Sequence, residues 1–143
     1  GGQKKAVSST SGMEHTQATS PLYLAFLAAH DADLAAARVA VKKHDLDVLG
    51  EIAEHNALAM HATAMAARPS LLYFRGATVE AILAIQALRG GGVRAFVTVD
   101  AGPHVKVLCA PEDAERVEHT LQSVDGVTET IVCRPGPDAR LLP

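Results

Sequence analysis

Two short runs of β-branched residues, Val97/Val99 and Val105/Val107, alternate with other residues at a period of two. Only Asp100-Ala101-Gly102-Pro103-His104 separates them. Strands joined this closely must pair antiparallel, because a parallel return needs a crossover of about a dozen residues or more. A hairpin with strands over about 94–100 and 104–109 therefore anchors the chain.

Everything else is arranged around that hairpin. Residues 3–7 read as a short strand, and residues 8–12 (Ser-Ser-Thr-Ser-Gly) as a polar loop before a helical pattern from Met13. Ser20-Pro21 restarts the pattern, with Pro21 suited to a first helical turn. Leu22, Phe26 and Ala29, then Leu34, Ala37 and Val41, keep helical spacing, with a break expected at His30-Asp31-Ala32-Asp33. Lys42-Lys43 falls where cations favour a helix C-terminus. Asp45 caps a helix to about Ala67, stopped by Arg68-Pro69, with an expected inward face of Leu46, Leu49, Ala53, Asn56, Met60, Thr63 and Ala67.

Residues 78–89 form another helix, facing inward with Val79, Ile82, Leu83, Ile85 and Leu88 and ended by Gly90-Gly91-Gly92. A helix at 111–123 and a last strand at 127–133 complete the order, and the tail from Pro135 is rich in Pro and Gly. There is no internal repeat. Several helices, a hairpin, a helix and a strand predict an α+β fold, a small antiparallel sheet with helices packed on one face.

A length of 143 residues suits one domain with a modest core. The net charge of -3, the lack of a basic stripe and the absence of Trp argue against a nucleic-acid partner. No apolar run approaches the ~20 residues of a membrane span. Cys109 and Cys133 lack metal-ligand spacing and read as free buried thiols of a reducing cytosol, with a disulfide as the alternative. The start, Gly-Gly-Gln-Lys-Lys, lacks an initiator Met, and the chain is expected to be part of a longer protein.

Asp100 is the first candidate for chemistry. A carboxylate at a strand end can bond the amides of its own turn, or it can serve a site that Gly102 and Pro103 hold rigid; the residues leave both readings open. The hydroxyls at 8–12, with Lys4 and Lys5 nearby, suit an anion before a helix or an ordinary N-cap cluster. Asn56 and Thr63 fall on the apolar stripe of their helix and need partners, while Met60 and His61 either pack or face a site. His55, His61 and His104 have no metal-ligand spacing, so no metal site is expected. The triple glycine lacks the Lys-Ser/Thr of a phosphate loop, and no nucleophile elbow supports a hydrolase.

Taken together, Lys4-Lys5-Ala6-Val7-Ser8-Ser9-Thr10-Ser11-Gly12-Met13, Thr19-Ser20-Pro21, Glu54-His55-Asn56, Met60-His61-Ala62-Thr63 and Asp100-Ala101-Gly102-Pro103 resemble the C-terminal half of mevalonate diphosphate decarboxylases. That family lies within the superfamily of galactokinase, homoserine kinase, mevalonate kinase and phosphomevalonate kinase, and the likeness runs from near residue 2 to about residue 109. The resemblance implies a ferredoxin-like C-terminal domain over residues 1–134, with 135–143 a tail. It implies an ATP-dependent carboxy-lyase of isoprenoid biosynthesis that phosphorylates the 3-hydroxyl of mevalonate diphosphate and releases phosphate and carbon dioxide to give isopentenyl diphosphate.

By the same resemblance Asp100 matches the catalytic aspartate, Ser9 and Thr10 lie at the substrate diphosphate, and Ala101 offers its backbone amide to the substrate. ATP and Mg are bound mainly by the family's N-terminal half, whose Gly/Ser-rich loop and substrate-binding Arg do not occur here. The implied partners are that N-terminal half and a second copy in a homodimer, in the cytoplasm. Family members usually carry Asn where this chain has His104, and some bacterial ones carry Arg at the position of Thr10. Alternatives are a non-catalytic partner or dimerisation domain of the superfamily, an enzyme acting on mevalonate phosphate, and a kinase that stops after phosphorylation.

Overall fold

The computed structural model describes residues 8–137. In chain order the elements are α1 (Ser9–Thr19), α2 (Tyr23–Lys43), α3 (Leu46–Met65), α4 (Gly76–Gly90), β1 (Ala95–Val99), β2 (Val105–Cys109) and α5 (Ala114–Gln122), the last preceded by a 3₁₀ turn at Pro111–Asp113. The hairpin is antiparallel, in the register Ala95↔Cys109, Val97↔Val107 and Val99↔Val105. Five helices and a two-stranded antiparallel sheet make the expected α+β fold among the described residues. The strand expected at residues 3–7 lies outside them.

Local chemistry sets most boundaries. Ser8 caps α1 by accepting from the Ser11 amide at 3.1 Å, so residues 9–12 are the first helical turn rather than a loop. α2 carries Lys42 and Lys43 in its last turn and closes at His44, whose φ is 55°. Asp45 then caps α3 through the Val48 amide at 3.1 Å. No break occurs at residues 30–33: α2 runs through them, since two Asp and one His in a helix interior cost only ~0.7 kcal/mol each at most. Interrupting the backbone hydrogen bonds would cost more.

The core lies between the hairpin and the helices that follow and precede it. Ala95, Val97 and Val99 pack with Ile82 and Ile85 of α4, Val93, and Val117 of α5. Within α4 the buried residues are Thr78, Ala81, Ile82 and Ile85, whereas Val79 and Leu83, expected inside, are exposed.

α3 has two packed sides. Toward β1 it presents Gly50, Glu54, Ala57, His61 and Ala64, all buried. The expected stripe of Leu49, Ala53, Asn56 and Met60 instead faces clefts shared with α2. Gly50 is required where it stands, because the Phe96 ring lies against it and a Cβ there would sit 2.2 Å from ring carbons.

Residues 127–133 are not a strand. They follow α5 through polar contacts, with Thr130 Oγ1 donating to Glu118 at 3.0 Å and receiving Gln122 Nε2 at 3.0 Å. Ile131 and Val132 are exposed, as is Cys133, contrary to the burial expected for it. An alternating pattern makes a strand only where it pairs with a neighbouring edge, and among the described residues 127–133 pair with no strand.

Candidate active site

β1 is buried along most of its length and then emerges: Val99 is in the core, and the Asp100 side chain is 79% exposed. Asp100, Val99 and Thr98 form one wall of an open cleft of about 370 Å³. Asn56 and Met60 of α3 and His30 and Asp33 of α2 contribute to the others. A second groove of about 260 Å³ runs along α2 and α3 and shares Asp33 and Asn56 with the first. Asn56 thus borders open space, whereas Thr63 is satisfied within its own helix, donating to Ala59 O at 2.8 Å.

The turn holds Asp100 from both sides. Its carbonyl accepts from the Gly102 amide at 2.6 Å, an i to i+2 closure. The Pro103 carbonyl accepts from Thr78 Oγ1 at 2.8 Å, which fastens the turn to the start of α4. Ahead of it, Val99 O receives the ring Nε2–H of His61 at 3.2 Å. Ala101 is half-buried and Gly102 buried between these tethers. The Asp100 carboxylate itself pairs with Lys106 Nζ across the hairpin. Lys106 escaped the sequence reading, though its place diagonal to Asp100 follows once the register is set.

Ser9 and Thr10 are exposed in the first turn of α1. Their connection to Asp100 runs through side chains. The Tyr73 hydroxyl abuts Gly12, where an added Cβ would stand 2.0 Å from it. The Tyr73 ring meets His61 edge-on at 5.9 Å, and Phe74 lies 4.2 Å from the same imidazole. At its other end α1 is pinned to α3 by Ser20 Oγ donating to Thr63 O at 2.7 Å.

Polar side chains also close the edge of β1 that β2 leaves open. Backbone groups at alternate positions of an antiparallel strand point away from its partner. Here Ala95 O receives Arg89 Nη1 at 2.9 Å, the Val97 amide donates to Glu54 Oε2 at 2.9 Å, and Val99 O is held by His61. Glu54 is in turn gripped by both Arg89 nitrogens, at 2.7 and 2.9 Å, and the guanidinium lies over the Phe96 ring. Burial opposes the charge on Glu54, but the bonds from Arg89 and Val97 prevail and hold its pKa below 4.5. Burial lowers His61 below 6.5 against the opposing pull of Val99 and Asp100, so the ring is neutral and its single proton sits on Nε2.

His55 and His104 are exposed, and His61 is enclosed. Among the described residues no group of three or more His, Cys, Asp or Glu could hold a metal. Burial, then Asp113 and Glu112, raise the Cys109 thiol, while Cys133 is exposed. A thiol reagent at neutral pH is therefore expected to modify Cys133 well ahead of Cys109, measured by peptide mapping; equal rates would contradict the packing around β2.

Residues 1–134 match the family model described as the mevalonate 5-diphosphate decarboxylase C-terminal domain. The chain belongs to this family. Its curated relatives include the diphosphomevalonate decarboxylase of Gibberella zeae, 32% identical over 133 residues that make up 88% of this chain and 35% of the relative. The domain therefore spans about a third of the length of the curated decarboxylases it matches. Among solved structures, mevalonate pyrophosphate decarboxylase from Streptococcus pyogenes superposes with a TM-score of 0.82 at 31% identity, covering 97% of this chain and 44% of that one. MDDEF in complex with MVAPP, AMPPCP and magnesium gives 0.80 at 35% identity, over 86% and 38%. In this decarboxylase domain no described helix is long and apolar enough to cross a membrane.

Proposed function

We propose that residues 1–134 are the substrate-binding and catalytic half of an ATP-dependent decarboxylase that converts mevalonate diphosphate to isopentenyl diphosphate, ADP, phosphate and carbon dioxide. The observation that carries this reading is the Asp100 carboxylate, exposed at the rim of the cleft while its backbone is tethered on both sides. Family membership supports the substrate and reaction class, and solved relatives bind MVAPP, AMPPCP and magnesium.

A free aspartate titrates near ~4 and cannot strip a tertiary alcohol outright. Asp100 accepts the hydrogen bond of the 3-hydroxyl and takes its proton as the oxygen–phosphorus bond forms, a task that is mostly positioning in a loose transition state. Phosphate then departs with the carbon–oxygen electron pair. The carbon–carbon bond to the carboxylate breaks, its electrons form the new double bond, and carbon dioxide leaves. Ionised again once its proton has gone to water, Asp100 stabilises the positive character that develops at the third carbon. ATP and Mg are assigned in this reading to the N-terminal half, where the metal would offset charge on the phosphoryl group being transferred.

Ser9 and Thr10, at the N-terminus of α1, receive the diphosphate, and the Ala101 amide contacts the substrate beside Asp100. Because the diphosphate is a remote handle, Ser9→Ala is expected to raise the KM for mevalonate diphosphate more than it lowers kcat. Substrate titration of both enzymes checks this, and an unchanged KM excludes Ser9 from the cradle.

The purified 143-residue chain is expected to release no carbon dioxide by itself and to do so when joined to an ATP-binding half. ATP-dependent decarboxylation by the chain alone overturns the two-half assignment. A role in dimerisation is favoured by α2, which leaves Leu24 77% exposed together with Leu27, Val39 and Val41. Sedimentation of the chain with and without Leu24→Asp tests that role, and a monomer in both rejects it.

A further inference from the structure

We infer that His61 is a positioning residue for Asp100, holding the strand end that carries the carboxylate in fixed relation to the first turn of α1. This deepens the proposed function and rests on it.

His61 is 2% exposed, a burial that would suit a Leu or Phe better than an imidazole unless its polar atoms are used. One of them is used at an informative place. The carbonyl that receives Nε2–H belongs to the Val99–Asp100 peptide. Val99 O and the Asp100 Cα share one rigid plane, so holding the oxygen fixes the Cα from which the carboxylate projects. The Gly102 amide fixes the following carbonyl at 2.6 Å, leaving the Asp100 backbone little freedom.

The same ring also reaches toward the other half of the candidate site. Tyr73 meets it edge-on, and the Tyr73 hydroxyl abuts Gly12 in α1. Phe74 presses on the imidazole at 4.2 Å and keeps its plane from turning. One side chain therefore touches the support of Asp100 directly and the support of Ser9 and Thr10 through a single ring. The charged group that bears on His61 is Asp100, and the ring is neutral, so it acts as a hydrogen-bond donor rather than as an acid.

Two variants separate this role from simple packing. His61→Phe keeps a ring against Tyr73 and Phe74 and removes the donor; His61→Gln keeps an N–H near the position of Nε2. In an enzyme containing this domain, His61→Phe is expected to lower kcat at least tenfold with the KM for mevalonate diphosphate changed less than threefold. His61→Gln is expected to return kcat to within threefold of the unaltered enzyme. In nuclear magnetic resonance spectra of the 143-residue chain, the Asp100 and Ala101 amide signals should move, and exchange faster, in the Phe variant and return toward their original positions in the Gln variant.

Unmoved Asp100 signals, an unchanged kcat, or a folded Gln variant no better than Phe overturns the inference. If the unaltered enzyme shows no decarboxylation, it is the proposed function that fails, and the Asp100 signals still decide whether the tether exists.

Discussion

Asp100→Asn, in an enzyme that carries this domain, is expected to lower kcat by about 10²–10⁴-fold. Asparagine keeps the shape of the side chain but neither takes a proton nor carries the negative charge needed once phosphate has left. The fold should not change, because Asp100 is 79% exposed and its partner Lys106 is 55% exposed, and such surface pairs contribute ~0–1 kcal/mol. Thermal unfolding and nucleotide affinity are the controls, and both should match the unaltered protein. A variant that retains more than a tenth of the original rate shows that the carboxylate is not the reacting group.

Glu54→Ala has the largest expected effect on stability, about 3 kcal/mol, at the lower end for breaking a buried ion pair. Arg89 is 31% exposed and recovers some hydration, which is why the figure is not higher. The Val97 amide has no such recourse, since Val97 is in the core and loses its acceptor. Urea unfolding measures the loss, and a change under about 1 kcal/mol would remove Glu54 as the clamp between α3, α4 and β1.

Acid should expose the same clamp. The folded-state pKa of Glu54 lies below 4.5, so its contribution is complete above that value and fades as pH falls through the folded pKa. His61 adds an earlier loss: its folded pKa lies below 6.5, so the unfolded chain takes up the proton first as pH drops under 6.5. Glu54→Gln should abolish the lower of these two steps and leave the upper one. An acid limb identical to that of the unaltered chain would refute the assignment.

Much of the local fold that carries the candidate site was legible in sequence. The hairpin around Asp100, the Asp45 cap and the glycine stop after α4 depend on nearest neighbours, and all are present. What the pattern hid was the side of α3 that matters most. Gly50 and Glu54 lie outside the expected apolar stripe and the sequence leaves His61 open between packing and a site, yet all three are buried because each meets a specific group of β1: the Phe96 ring, the Val97 amide and the Val99 carbonyl. Hydrophobic periodicity scores apolar contacts and is blind to a polar side chain that satisfies a strand edge. Val79, Leu83 and Cys133 erred in the other direction, apolar or thiol side chains that have no partner surface within the described residues and so remain exposed.

The sequence by itself determined the antiparallel pairing of the hairpin, the capped start of α3 and the helical character of most of the chain, because these follow from backbone preference and short-range spacing. Tertiary structure alone decided that His61 joins Tyr73 to the Asp100 strand end, that Glu54 and Arg89 close the open edge of β1, and that Lys106 stands beside the carboxylate. Those contacts span six to 43 positions of chain. They form because packing brings distant groups into hydrogen-bond range in a medium where an unmatched polar atom is costly.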